Sequence, residues 1–203
     1  MDTMLFPIKP HHFAQPALCI GRMLLLGLIF TSALMGCSEQ HPDLDNPMTF
    51  QQDSLSFEYP GNWKIQENRR DEHGWHINLE SPGTALVSLT IFDATNTISA
   101  EEYAESVMEG LQSTFDGFIT VDKKTVADKV TKTGEALHII SYYYTMDIAT
   151  IKVPHIQRHR KLMSDSQSLY MMTQVPIEDK ALTSPGFKLI IRSLTLADKD
   201  TEK

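Results

Sequence analysis

The sequence predicts an α+β domain, an antiparallel β-sheet flanked by amphipathic helices, set behind an export signal. Three observations lead there. Apolar and polar residues alternate over most of residues 50–175, the period of half-buried strands. Two segments switch to a helical period, one in the middle of the chain and one near its end, rather than alternating with strands as in a parallel α/β fold. A short apolar run closes on Cys37.

That run starts the chain's organisation. Residues 1–36 carry Lys9 and Arg22 against Asp2, then continue uncharged through residues 23–36. A basic region, a short apolar run and small residues at the cut describe a secretory signal. A spanning helix needs about 20 apolar residues, more than lie between Arg22 and Ser38. The segment Leu34-Met35-Gly36-Cys37 resembles the lipobox of bacterial lipoproteins, with Met35 bulkier than the usual occupant. The resemblance implies a signal peptide over 1–36, cleavage after Gly36 and acylation of Cys37. More than one acyl chain gives stable attachment where a single chain is marginal. An uncleaved apolar anchor is the alternative. Ser38, not an aspartate, resembles the pattern sorted to the outer membrane, so the expected location is the cell envelope, at the outer membrane facing the periplasm.

The chain's net charge is −8 and becomes one unit more negative once the leader departs. Nucleic-acid binding by counterion release wants a basic surface, so nucleic acid is not an expected partner. Cys19 leaves with the leader and Cys37 is taken by lipid, which leaves no thiol for a disulfide, a nucleophile or a metal. A tether follows over 37–49, with two prolines, three carboxylates and little to bury after the cysteine. Fully extended it spans up to about 40 Å. One domain over 50–196 and a solvated tail over 197–203 complete the division.

Within the domain, Leu55, Phe57 and Tyr59 form a strand, Pro60-Gly61-Asn62 a turn, and Trp63 to Ile65 the next strand. Trp75, Ile77 and Leu79 alternate with polar neighbours, and Ser81-Pro82-Gly83 turns the chain into the apolar run Ala85 to Phe92, a hairpin. Ser99 with Glu102 has capping-box spacing ahead of a stripe at Tyr103, Val107, Leu111 and Phe115, widened by Ala104 and Met108, an amphipathic helix. Strands follow over 119–130, 136–145 and 150–163, the last turning at Ser164-Asp165-Ser166 into 169–175. Ser184 with Pro185 at the first helical position opens a final helix with Phe187, Ile190, Ile191 and Leu194 on one face.

Catalytic motifs are few. The sequence has no G-x-S-x-G, S-x-x-K or H-E-x-x-H pattern and no glycine-rich phosphate loop; a non-enzymatic protein without cofactor is the expectation. His73, His76, His155 and His159 offer imidazoles, but lack acids at ligand spacing, and exposed strand histidines are ordinary, so no metal site is expected. Lys152, His155, Arg158, His159, Arg160 and Lys161 concentrate positive charge in an acidic domain and are a candidate patch for an anionic partner. Alternation places Arg158 and Arg160 on one face and His155, His159 and Lys161 on the other. The favoured reading is a solvated hairpin edge whose cations block strand-to-strand aggregation. Tyr142-Tyr143-Tyr144 reads as half core and half rim, and Met171-Met172 as packing.

The segment Phe57 to Ile65, with Tyr59-Pro60 followed by Trp63, resembles the opening of the PsbP-like superfamily, especially its DcrB-like bacterial members. The closing helix, Phe187 to Leu194, is similar too. The likeness covers about residues 50–196 and implies an antiparallel sheet flanked by helices and a mostly non-enzymatic role as an assembly factor, adaptor or exported lipoprotein. The basic segment at 152–161 is not part of that pattern. The expected function is a membrane-anchored accessory module with an envelope protein as partner. A carrier or sensor of an apolar ligand gripped between sheet and helix, and a small hydrolase pairing a histidine of 155–159 with a carboxylate, are the alternatives.

Overall fold

The structure is a computed structural model that describes residues 41–93, 95–96, 98–130 and 136–198. Cys37 and the leader lie outside the described residues, as does most of the tail. The elements run β1 (Met48–Gln52), β2 (Leu55–Tyr59), β3 (Lys64–Asp71), β4 (Gly74–Glu80), β5 (Leu86–Asp93), α1 (Ala100–Thr114), β6 (Ile119–Val130), β7 (Ala136–Ile148), β8 (Ile151–Met163), β9 (Gln167–Pro176), α2 (Lys180–Ser193) and β10 (Thr195–Leu196). Seven strands form one antiparallel sheet in the order β3-β4-β5-β9-β8-β7-β6, and β1-β2-β10 form a second. The α+β architecture predicted from the alternation is the one observed.

Each face of the large sheet has its own core. On one face the alternating residues Trp75, Ile77 and Leu79 of β4 pair with Ile91, Leu89 and Val87 of β5. They pack beneath Phe50, Leu55 and Phe57 of the small sheet and Phe187 and Ile190 of α2. Phe50 stacks on Phe57 with centroids 5.0 Å apart. Pro60 ends β2, its carbonyl accepting from Trp63 N at 2.9 Å. Trp63 then fills the core, edge-on to Phe187 at 5.4 Å. Gly186 is needed there: a Cβ would stand 2.6 Å from the Trp63 ring.

The other face is covered by α1. Ser99 Oγ accepts from Glu102 N at 3.1 Å and Glu102 Oε2 from Ser99 N at 2.8 Å, so the capping box forms as its spacing predicts. The buried stripe is centred on Ala100, Ala104 and Met108, over Ile140, Tyr142 and Tyr144 of β7, while Phe115 is exposed. Lys124 of β6 ties the helix down through Glu101 and Glu105, at 2.5 and 2.6 Å.

Three expectations change. The segment 41–49, read as tether, belongs to the domain: β1 starts at Met48, Asp43 O accepts from Gly61 N at 2.9 Å, and Asp43 N donates to Asn62 Oδ1 at 2.9 Å. The polar composition of 41–47 hid this, because the contacts are hydrogen bonds rather than burial. The last helix begins at Lys180, with Pro185 inside it and Ser184 Oγ donating to Lys180 O at 2.5 Å. Pro185, the sixth residue of the helix, has no N–H to give to Ala181 O, so one helical hydrogen bond is missing there. Strand β8 is no edge: it pairs with β7 and β9 along its length. The edges are β3 and β6, and the charged residues that protect edges are Glu67, Arg69, Arg70, Lys123 and Lys124 on those two strands.

Candidate functional site

A row of paired residues crosses the large sheet from Lys64 through Glu80, Leu86, Gln174, Gln157 and Tyr142 to Lys124. The strands run away from this row in both directions and give the domain two ends. At one end the β3–β4 turn, the end of β5, the start of β9 and the residues after β10 converge on an open cleft of about 1150 Å³. The β3–β4 turn is held in shape by Gly74, whose φ of +131° and 2.8 Å approach to Ile91 O admit no side chain. Ser54 and Gln167 hydrogen-bond across the base, and Ala197 N donates to Ser54 O at 2.8 Å, binding the C-terminal segment to one wall.

Charge in the cleft is mostly negative. Asp53, Asp71, Glu72, Asp93 and Asp198 line it, against Arg70 and His73. Arg70 pairs with Asp53, and its guanidinium lies 4.2 Å over the Trp75 ring. Asp71 pairs with Arg69 and accepts from His73 N at 2.8 Å. These pairs hold the carboxylates in place while Phe92 and Ile98 add apolar lining. No cluster of three or more metal-ligating side chains occurs among the described residues. The arrangement provides a wide surface of hydrogen-bond acceptors with an aromatic floor.

The six cationic residues of 152–161 do not form one surface. Pairing places Arg158 and Arg160 opposite Ser141 and Ile139, on the face under the small sheet. His155 and His159 point to the α1 face and are buried, not exposed. Lys152, at the β7–β8 hairpin, reaches Asp147 at 2.7 Å. Lys161 donates to Ile98 O at 2.7 Å and lies 5.0 Å over the Tyr170 ring. Arg160 stands apart: its Nε and one terminal nitrogen are buried without a protein partner, and burial, with Arg158 beside it, brings its pKa down to about 10.

The four histidines do not converge either. His76 on β4 is three strands from β8, about 14 Å at the usual strand spacing. His155 stacks on Tyr144 with centroids 5.1 Å apart and bonds Val153 O at 2.8 Å. His159 Nε2 lies 2.9 Å from Gln157 Oε1; because the Gln157 amide donates onward to Gln174 at 3.0 Å, its oxygen accepts and Nε2 carries the proton. Burial pushes this imidazole down to about 4. Both rings bond amide oxygens, not the carboxylate that the hydrolase alternative calls for. The space between sheet and α1, one place where the carrier alternative would put a ligand, is filled by Tyr103, Tyr170, Tyr142 and Tyr144, the first two stacked at 4.4 Å. Tyr142 and Tyr144 are core, and Tyr143 alone is half-buried on the opposite face.

Sequence reasoning found His73 but not the cleft around it. Its walls come from five separated segments, and the only local signals were Gly74 within a charged turn and Asp53, which adopts a φ of +48°.

No protein-family model matches the chain, and no curated protein matches it. Among solved structures it is similar to the cyanobacterial PsbP of Synechocystis sp. PCC 6803, at 10% identity and a TM-score of 0.48 over 74% of this chain and 91% of that one. It is also similar to the Ran-binding protein Mog1p of Saccharomyces cerevisiae (7% identity, TM-score 0.44, 75% and 96% of the two chains). A third is LpqN of Mycobacterium tuberculosis, described as involved in cell envelope biogenesis (8% identity, TM-score 0.39, 75% and 91%).

Proposed function

We propose that the chain is an exported lipoprotein, acylated on Cys37 and held at the outer membrane facing the periplasm, whose domain is a non-enzymatic adaptor. Its binding site is the end cleft, and its partner is an envelope protein presenting a basic, donor-rich segment. The observation that carries this reading is the cleft itself. At about 1150 Å³ and open, it exceeds the roughly 300–1,000 Å³ of small-molecule pockets, and its acidic lining complements cationic side chains.

The test is photo-crosslinking in cells. A photoreactive residue at His73 or Asn96, both in the cleft, is compared with one at Val126, exposed on edge strand β6. A discrete partner captured from the cleft and not from Val126 supports the adaptor; equal capture from both, or none from the cleft, refutes it. Cys37→Ser should release the protein from the membrane and remove the acyl mass. Turnover by the purified protein that is lost in His155→Ala would replace the adaptor with the hydrolase, and lipid in organic extracts would favour the carrier.

A further inference from the structure

Isolated exposed apolar side chains are ordinary on any protein, but here they are concentrated. Of the ten large apolar side chains exposed among the described residues, seven lie at the end opposite the cleft. Ile148 and Ile151 face each other at the tip of the β7–β8 hairpin, 53% and 65% exposed. Phe118, 54% exposed, adjoins them, since its carbonyl accepts from Asp147 N at 2.8 Å, and its own N–H donates to Phe115 O at 2.9 Å. Ile177, whose N–H bonds Pro154 O, Met48 and Leu44 complete the set. An exposed apolar group of this kind marks an interaction surface.

The chain enters the domain at this same end. Asn62 Nδ2 donates to His41 O at 2.9 Å, and Asp43 is held by Gly61 and Asn62, so the described backbone is fixed from His41 onward. On the lipoprotein reading, on which this inference rests, only Ser38 to Gln40 separate that point from the acylated cysteine. Four residue steps span at most about 14 Å. The point where Asn62 holds the chain is therefore kept within about 14 Å of the anchor.

We infer that this end of the domain, built from the β7–β8 hairpin tip, the α1–β6 loop and the chain around Leu44 and Met48, lies on the lipid bilayer with its apolar side chains in the interfacial region. Strand β8 has 13 residues running from the hairpin tip to the cleft end, so the cleft opens roughly 40 Å from the membrane at the usual rise per residue. Attraction to anionic headgroups is not what holds the contact. Asp43, Asp45, Asp116 and Glu178 outnumber the cations there, and Lys152 is engaged with Asp147, so no polybasic surface of the kind that binds anionic lipid is present among these residues. Burial of apolar side chains supplies the contact, and zwitterionic lipid suffices.

The full-length lipidated protein in phosphatidylcholine vesicles tests this. Single-cysteine versions, Ile151→Cys and Met163→Cys, are labelled with an environment-sensitive fluorophore; Cys19 leaves with the leader and Cys37 is acylated, so the introduced thiol is the one that reacts. Both positions are exposed, 65% and 62%, and neither change disturbs the core. The expected result is a blue shift at 151 with several-fold stronger quenching by nitroxide lipid than at 163. Equal or absent quenching at both positions, in protein whose intact mass carries the acyl group, overturns the inference and leaves the lipoprotein reading standing. A blue shift at 151 that resists nitroxide lipid and grows with protein density means a contact between copies, and also overturns it. Absence of the acyl mass, with protein that fails to float with vesicles, removes the anchor and the inference together.

Discussion

His159 should make the domain lose stability in mildly acidic solution. The residue is 1% exposed, its Nδ1 is buried without a partner, and it lies edge-on to Tyr103 and Tyr142, 6.3 and 6.2 Å away. Desolvation lowers its pKa from 6.5 to about 4. A folded-state pKa below the unfolded value means that the proton binds the unfolded chain more tightly. The group costs nothing above pH 6.5, destabilises progressively as pH falls from 6.5 to 4, and adds no further loss below that. At 1.36 kcal/mol per unit the full gap is worth about 3 kcal/mol, of which about 2 kcal/mol is present at pH 5. For a domain of this size that is about 4–8 °C in Tm. His76 shifts in the same direction, chiefly through desolvation, so the comparison must be internal. His159→Gln keeps a polar group near Gln157 and cannot titrate. Between pH 7.5 and 5 the wild type should lose about 4–8 °C more than the variant. Parallel Tm–pH curves would refute the reasoning, because they would mean that the folded protein accepts the proton at no cost.

Three other substitutions test separate features. Gly61→Ala would put a Cβ 2.2 Å from the Asn46 backbone oxygen and should detach residues 41–46; hydrogen exchange at Asp43 and Gly61 should rise sharply, with a global loss of about 1–3 kcal/mol from three hydrogen bonds. Gly186→Ala sets about 1 kcal/mol of helix preference against about 1–3 kcal/mol of overpacking. With Trp63 wedged against Phe187 the clash should win, so Tm falls and the tryptophan emission changes. Arg160→Met removes a half-buried guanidinium whose Nε and one terminal nitrogen are buried without a partner and should raise stability to urea by about 1 kcal/mol or more; a loss would mean that the arginine has an anionic partner in the folded protein.

Most of the fold could be read from local pattern. The alternation of Trp75, Ile77 and Leu79, the Ser99 capping box and the stripe at Phe187 and Ile190 are each set by neighbouring residues, and each appears as an observed element. Features decided by distant partners escaped. Strand β1 has the burial pattern of a surface strand with only Phe50 inside, and β10 has two residues, so neither announces itself. The strands around β8 decided its cations: a run of lysine and arginine looks like an edge until β7 and β9 are seen on either side. The cleft was least legible of all, since Asp53, His73, Asp93, Gln167 and Asp198 meet only after the chain has folded.

An interior basic strand and a short tether bear on the same question, namely which surfaces can meet a partner. Burial takes His155 and His159 out of contention, and pairing occupies Lys152 and Lys161, so the charged run that stands out in the sequence supplies little free surface. The docking of His41 and Asp43 onto Asn62 has the opposite effect on the cleft. Were all of 38–49 free, a lipid on Cys37 would leave the domain able to tumble through tens of ångströms, and any face could reach the membrane or a neighbour. On the lipoprotein reading, with only Ser38 to Gln40 between His41 and Cys37, the point where the chain docks on Asn62 stays close to the anchor, and the proposed membrane contact through Ile148, Ile151 and Phe118 would turn the acidic cleft away from it. Lengthening the tether, as Gly61→Ala should do, would then loosen the orientation without altering a single residue of the cleft, and partner capture from His73 or Asn96 should weaken while the fold of the cleft stays intact.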